Sequence, residues 1–458
     1  MQLDIPAQLA AARACAENGR RADAIAAYAR LLRDAPGTLD AMLPLAGLFV
    51  AERNLAFARS VLLEAASLHS ERADVWALLA NVLVDLDEPA AARTAYERAL
   101  QVDPDLTVAH LGLAVLGERA GDAEAARPHW QRGYARGVTA GPNWHAPGVT
   151  RILLVSSAVG GNVPLLPILD DRRFVRAEIF AEGYTPAIPL PHDALIVNAI
   201  GDAERSGRAL DAADRIIADL AGHVVNAPGR VRATTRVANA ARLATIDGVV
   251  APRVRAFAHQ QLTGPGGAEL LAAAGFAFPL LLRAPGFHTG MYFVQVENAD
   301  ALAGAAAQLP GPTLLAMEFV DTAAADGTYR KYRVLGIDGA LYPLHLAVSR
   351  SWKVHYFSAA MGESEHYREE ERAFLDAPRA AIGAGAYAAL ERVVDALGLD
   401  YGGVDFGLDA TGRLVVFEAN ATMLIAPIDA DPRFAYRRHA FAAATEAARA
   451  MLVARRPA

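Results

Sequence analysis

Two rhythms of hydrophobic and polar positions divide this chain. Up to residue 137, small residues recur at Ala24, Ala58, Ala92 and Ala126 and large ones at Tyr28, Leu62, Tyr96 and Trp130, each step being 34 residues. The same step links Leu45, Leu79 and Leu113 and their neighbours Ala46, Ala80 and Ala114, with Pro36 and Pro104 where repeats end. A small/large step of that length marks stacked helix pairs, because each pair buries one face alone and needs its neighbours to complete a core. About four helical repeats with a concave groove are therefore predicted over 1–137. After Gly137 the segment VTAGPNWHAPGVT, with glycines, prolines and no period, reads as a linker over 138–150.

From residue 151 the rhythm changes to short apolar runs separated by helical stretches. Arg151 to Ser156, Ala177 to Ala181 and Ala194 to Asn198 read as strands, and Asp211 to Leu220 as a helix, so 151–232 is expected to be a small α/β lobe with a parallel sheet. The loop Ser156 to Asn162 carries Gly160 and Gly161 but lacks a full dinucleotide fingerprint, and reads as a turn facing substrate. The remainder, 233–458, mixes strands and helices. Its most informative stretch is YGGVDFGLDATGRLVVFEANATM, Tyr401 to Met423: strand Gly403 to Leu408, turn Asp409 to Arg413, strand Leu414 to Glu418.

That hairpin carries three oxygen ligands. Asp405 lies on the first strand, and Glu418 and Asn420 stand two residues apart at the end of the second, so alternation directs both of those side chains to one face. Two carboxylates and an amide oxygen suit a hard cation, and Mg²⁺ in such a site is shared with substrate phosphates. Upstream, Tyr329 to Gly336 places Lys331 and Arg333 on one face of a strand, and Leu341 to Val348 returns into Ser349-Arg350-Ser351-Trp352-Lys353-Val354-His355. Cations at Lys331, Arg333 and Arg350, joined by Lys353 and His355 and converging on an acidic site, read as phosphate chemistry.

Composition narrows the setting. The 458 residues are too many for one ordinary domain, and a hydrophobic fraction of 53% with a mean hydropathy of +0.18 supplies ample core. No apolar run reaches membrane-spanning length. The opening MQLDIPAQLAAARACAENGRR has no basic leader before an apolar stretch, so a cytoplasmic protein is expected. Cys15 is the one cysteine, expected to pack in a helix. A net charge of −7 and a pI near 6.0 argue against a nucleic-acid partner. Lys331 and Lys353 are the only lysines, every other basic residue being arginine.

D-F-x(10)-F-E-A-N-A-T, from Asp405 to Thr422, resembles the metal-binding hairpin of the ATP-grasp ligases, and the repeat region resembles tetratricopeptide repeats. The resemblance to ATP-grasp covers roughly 151–456. It implies a multidomain chain: an all-α tetratricopeptide solenoid, an α/β pre-ATP-grasp lobe, and an α+β ATP-grasp domain. It implies magnesium, two ions with manganese as a substitute, on Asp405, Glu418 and Asn420. ATP phosphates would meet Arg236, in the family's entry helix after an Asn-x-Pro turn, and Arg283, which ends the run Phe278 to Arg283 where relatives carry lysine. The loop Ala284 to Gly290 matches the family's glycine loop, giving Gly286, His288 and Gly290 as further contacts. Leu314 to Asp321 resembles the hinge, which assigns Glu318, Phe319 and Val320 to adenine, Met317 or Leu315 to its ring face, and Asp321 or Asp326 to ribose. Lys331, Arg333, Arg350 and Lys353 would stabilise the transferred phosphoryl group.

The activity implied is ATP-dependent joining of a carboxylate to an amine through an acyl phosphate, with a peptide or protein held in the repeat groove as one substrate. Three other readings stay open. One is an inactive ATP-binding scaffold whose repeats mediate protein interaction; another is a ligase of two small molecules whose repeats form a dimer or docking surface; the third is a phosphotransferase that stops at the phosphorylated product. Gly383 to Ala388 fits the dinucleotide fingerprint only formally, because no strand precedes it. The acidic run Glu363 to Glu371 reads as a lid or a solvated connection, and Phe434 to Arg455 as a final amphipathic helix.

Overall fold

The computed structural model describes residues 4–457 apart from 171, 221, 288, 289, 356–358, 424 and 426–430. The chain divides into two compact units, residues 1–137 with 187–189, and residues 138–186 with 190–458.

The first unit is helical. Its elements are α1 (Ile5–Glu17), α2 (Arg21–Asp34), α3 (Leu39–Ala51), α4 (Leu55–Leu68), α5 (Ala73–Asp85), α6 (Pro89–Val102), α7 (Thr107–Arg119) and α8 (Ala123–Gly133). The 34-residue step is the packing pattern itself: Ala24, Ala58, Ala92 and Ala126 are completely buried, and Tyr28, Leu62, Tyr96 and Trp130 lie beside them in the interior. An alanine at each crossing lets the helices approach, and the large residue one turn later fills the space so formed. Cys15 on α1 packs, half-buried, against the first core cluster.

The second unit contains three sheets among its described residues. The first is parallel, in the order β2 (Phe174–Phe180), β1 (Thr150–Ser156), β3 (Leu195–Asn198), β4 (Val224–Val225), with α9 (Gly207–Leu220) following β3. All four residues of β3 are buried, as expected for a strand covered on both faces. Two short helices follow, α10 (Pro228–Arg232) and α11 (Arg236–Leu243), then strands β5 (Val249–Val250) and β6 (Val254–Ala258) and helices α12 (His259–Thr263) and α13 (Gly267–Ala273).

A four-stranded antiparallel sheet comes next, in the order β6, β9 (Thr313–Glu318), β7 (Leu280–Arg283), β8 (Phe293–Val296), with α14 (Ala299–Ala307) between β8 and β9. The last sheet runs β11 (Ala340–Ser349), β10 (Tyr329–Ile337), β12 (Tyr401–Leu408), β13 (Leu414–Asn420), β5. Helices α15 (Glu365–Asp376), α16 (Pro378–Ile382), α17 (Ala384–Leu397) and α18 (Arg438–Ala454) accompany it.

The β12–β13 turn is built by Asp409, whose Oδ1 accepts from the backbone N–H groups of Thr411 and Arg413, both at 2.9 Å. This fixes the register that sets Asp405 opposite Glu418 and Gly403 opposite Asn420. Gly383 precedes α17 and follows a helix, so the formal dinucleotide match has no strand before it.

One expectation is corrected here. The acidic run Glu363 to Glu371 is not a bare solvated connection, because it enters helix α15: Glu363, Glu365 and Glu369 face solvent, but Glu371 is fully buried and Phe374 one turn later joins the interior. The Glu371 carboxylate holds Arg437 Nη2 at 2.6 Å and the Leu346 amide at 3.2 Å, so α15 is pinned to β11 and to the 3-10 turn Pro432–Arg437.

Candidate functional site

A cleft of about 610 Å³ lies within the second unit. Its walls come from the loop after β1 (Gly161, Asn162), the loop after β3 (Asp202, Glu204), α11, the inner faces of β7 and β9, strand β10, and the β12–β13 hairpin. The carboxyl ends of β1 and β3 open into it, which is where parallel sheets present ligand loops.

Asp405 anchors one side. It is 3% exposed and accepts from Arg333 at both oxygens, Nε at 2.6 Å and Nη2 at 2.8 Å, with Lys331 Nζ at 3.2 Å. The register of β10 on β12 places Arg333 directly opposite Asp405, and alternation brings Lys331 to the same face. Burial alone would raise the Asp405 pKa, but the charges of Arg333 and Lys331 outweigh it and hold the carboxyl well below the usual carboxylate range. Burial likewise opposes the charge on Arg333, and Asp405 more than compensates, leaving its pKa raised.

Glu418 sits beside this pair on β13. Its Oε1 accepts from Arg236 Nη2 at 2.5 Å and from Asn420 Nδ2 at 3.1 Å. Asn420 turns its own Oδ1 to the Thr422 amide, 2.9 Å, and hydroxyl, 2.8 Å, which orients the side chain. Arg236 is the first residue of α11 and bridges two acids, with Nη1 on Glu204 and Nη2 on Glu418. Glu204 also accepts from the Arg236 backbone N–H at 3.1 Å. In this arrangement Arg236 is a counter-ion for Glu418.

Arg283, at the end of β7, is 8% exposed and lines the cleft. It donates from Nη2 to the Phe287 carbonyl, its guanidinium carbon lies 5.4 Å from the Phe293 ring centroid, and its Nε has no hydrogen-bond partner. Burial lowers its pKa, and the charge of Arg236 adds to this. Lys353 donates to the Phe293 carbonyl at 3.0 Å, and its pKa is lowered by burial and then by Arg283. Gly290 closes the same corner: a Cβ there would lie 2.8 Å from Lys353 Cε, and its φ of +73° also favours glycine. His345, opposite Arg333 on β11, is 2% exposed; burial first and Arg333 second push its pKa well below the usual value, so it is neutral at pH 7.

Glu318, Phe319 and Val320, expected as a hinge, line the cleft. Glu318 N–H donates to the Arg253 carbonyl at 2.9 Å, and its carboxylate accepts from the Arg253 amide at 3.2 Å.

Several expected residues stand elsewhere. Asp321 and Asp326 do not line the cleft. Asp321 is exposed and caps the Ala323 amide at 2.9 Å, while Asp326 is held by Thr328 and by Arg330 Nη2 at 3.1 Å. Both are short acids next to free amides, and local turns capture them. Arg350 is exposed and outside the cleft, because β11 ends at Ser349 and the chain bends before it can point inward. Gly286 likewise lies outside the lining, and His288 lies outside the described residues.

Other residues reach the cleft without having been expected: Asp202, Glu204, Thr322, His345 and Trp352. The signal for Glu204 was its place in the loop after β3, at the carboxyl edge of a parallel sheet. Among the described residues no group of three or more His, Cys, Asp or Glu side chains is arranged to hold a metal.

A tetratricopeptide repeat model matches residues 73–116, which span α5, α6 and most of α7. No curated protein matches the chain. Among solved structures the chain is similar to a crystal structure of MamA protein, 19% identical, covering 29% of this chain and 72% of that one with a TM-score of 0.28. MamA from Desulfovibrio magneticus RS-1 is also 19% identical, covering 28% and 73% with a TM-score of 0.27. The N-terminal unit thus contains a tetratricopeptide repeat, and the C-terminal unit has mixed sheets. No helix among the described residues is long and apolar enough to cross a membrane.

Proposed function

We propose that the second unit binds ATP with magnesium and joins a carboxylate to an amine. The observation that carries this reading is the juxtaposition, in one cleft, of the Asp405 and Glu418 carboxylates on neighbouring strands with the cations Arg236, Arg283, Lys331, Arg333 and Lys353. Opposed charges on this scale are the machinery that phosphoryl transfer needs, since its transition state spreads charge over equatorial oxygens. One antiparallel sheet and one mixed sheet, antiparallel except for the β13–β5 pair, border the cleft, and the ATP-grasp reading takes these as its two nucleotide-binding walls.

Asp405 and Glu418 carry carboxylate oxygens that fit a magnesium ion shared with phosphates once Arg333 and Arg236 give up part of their hold on them, while Asn420 turns its oxygen to Thr422 and its Nδ2 to Glu418 and would have to rotate to join the ligands. When bound, magnesium would neutralise the phosphate oxygens. Arg283 and Lys353 face the same space and would hold the terminal phosphate. In the reaction a substrate carboxylate oxygen attacks the γ-phosphorus, and the bond to the β–γ bridging oxygen breaks, releasing ADP. Lys331 and Arg333 would hold the resulting acyl phosphate. The amine then attacks the acyl carbon, phosphate leaves, and the amine gives up a proton. Phe319, Trp352 and Met317 exclude water from the base end of the cleft.

The tetratricopeptide repeat favours a protein or peptide partner, through a groove of stacked helices. That partner is either the substrate or a docking protein, and a purely scaffolding role is the second reading. Incubation with MgATP, a panel of amino acids and peptides, and excess hydroxylamine separates the two. Ligase chemistry predicts ATP-dependent hydroxamate with one class of acid, because hydroxylamine intercepts the acyl phosphate. ADP formation without hydroxamate or amide would point to a phosphotransferase, and no turnover with any acid to the scaffold.

A further inference from the structure

Resting on the ligase reading above, we infer that Arg205 is the handle for a second, non-reacting carboxylate on one of the two substrates. That substrate is then a free amino acid on the amine side or a dicarboxylic acid on the acid side. Of the arginines and lysines that line the cleft, Arg236, Lys331 and Arg333 are ion-paired with carboxylates, and Arg283 and Lys353 donate to backbone carbonyls. Arg205 lines the cleft and is exposed, and among the described residues its guanidinium has no hydrogen-bond or ion-pair partner. The acid beside it, Glu204, is already committed to Arg236.

The wall that carries Arg205 is built from two loops tied together. The Gly161 carbonyl accepts from the Gly201 and Asp202 amides at 2.9 and 3.0 Å, and Ser206 Oγ donates to the Gly160 carbonyl at 2.9 Å, which joins the loop after β1 to the loop after β3. Asp202 Oδ1 accepts from the Glu204 and Arg205 amides, at 2.9 and 3.1 Å, and fixes the turn from which Arg205 projects. The guanidinium lies flat over Gly160: its Cζ stands 3.7 Å, and both its Nη atoms 3.8 Å, from where a Cβ on that glycine would be. One face of the plane thus rests on backbone, and the N–H edge is left for a planar anion, which an arginine fork holds at two points. A Cβ on Gly201 would lie 2.8 Å from Thr422 Cγ2, so this wall abuts the end of the β12–β13 hairpin, and Arg236 ties Glu204 to Glu418 across the same boundary. Lys331 and Arg333 belong to β10, a separate wall with its own acid, Asp405. A substrate pair that reacts beside β10 and also engages Arg205 therefore brings one anionic group for each.

The test reads ADP release from MgATP with a panel of L-amino acids and short dicarboxylic acids, singly with hydroxylamine as the amine and in pairs without it. Each compound that stimulates is then compared with its amide, in which the non-reacting carboxylate is masked. Masking is expected to raise KM about tenfold or more in the wild type, the scale of a charge-assisted hydrogen bond, and under about threefold in Arg205→Gln, with Arg205→Lys between them. Circular dichroism confirms that each variant is folded. A penalty on the compound that forms the hydroxamate identifies a dicarboxylic acid, and a penalty on the amine identifies an amino acid; either supports the inference. An equal penalty in the wild type and Arg205→Gln overturns it, as does efficient turnover of a pair with no second carboxylate. MgATP binding that weakens in Arg205→Gln as much as substrate use does would overturn it too, because the guanidinium would then hold phosphate. A wild type that binds MgATP in calorimetry but turns over nothing in the panel sinks the substrate class and leaves the nucleotide site standing; one that binds no MgATP sinks both.

Discussion

Asp405→Asn is expected to abolish magnesium-dependent nucleotide binding and to lower stability by about 3 kcal/mol, the scale of breaking a buried ion pair. Asp405 is nearly inaccessible, and both its oxygens are committed to Arg333, with Lys331 close by. Removing the carboxylate charge leaves two cations facing each other without their counter-ion, and much of the loss is the cost of those stranded charges. Adding Arg333→Met to Asp405→Asn should therefore recover part of the stability without recovering binding, which separates the structural role from the chemical one. Urea unfolding and nucleotide titration of the three proteins check this.

The same residue sets a pH dependence. Its folded pKa lies below its unfolded value, so the unfolded chain binds more protons as pH falls and the folded state loses ground. Asp405's contribution is fully present above about pH 4, the ordinary aspartate range, and is lost progressively below it. Asp405→Asn should show a correspondingly flatter acid limb.

Glu371→Ala is expected to cost about 3–5 kcal/mol while leaving the cleft's chemistry untouched. Glu371 is fully buried and Arg437 is 3% exposed, and the carboxylate also takes the Tyr436 hydroxyl and the Leu346 amide. Truncation removes the carboxylate that neutralises the Arg437 guanidinium in the interior, a loss that the Phe434 and Tyr436 rings, with centroids 4.1 and 5.8 Å from it, offset only in part. The double variant Glu371→Met with Arg437→Met should regain most of the loss, since a well-packed apolar pair of similar volume needs no desolvation. Thermal unfolding reads both. A double variant no better than the single one would show that the hydrogen bonds to Tyr436 and Leu346, and not the stranded charge, carry the effect.

What the sequence made legible follows from periodicity. The repeat positions Ala24, Ala58, Ala92 and Ala126 are buried because a constant step keeps returning the same contact to the same helix crossing. Lys331, Arg333, Asp405, Glu418 and Asn420 reach one cleft because they sit on adjacent regular strands, where alternation alone decides the face. Loops have no such rule. Asp321 and Asp326 looked like ribose acids by spacing from the hinge, yet local amides and Arg330 claim them. Arg350 looked continuous with Lys331 and Arg333, yet it stands one residue beyond the last strand position. Glu204 and Trp352 enter the cleft from irregular segments far in sequence from the hairpin, so no spacing connected them to it. The pairing of Arg236 with Glu418 across 182 residues depends on tertiary contact and has no local signature.

The most direct test of a magnesium-dependent nucleotide site is calorimetric titration of ATP, with and without magnesium, into the wild type and Glu418→Gln. Saturable binding by the wild type that requires magnesium, weakened at least tenfold in a folded Glu418→Gln protein, is the predicted result. Absence of ATP binding by the wild type under either condition, or undiminished binding by Glu418→Gln, would contradict it.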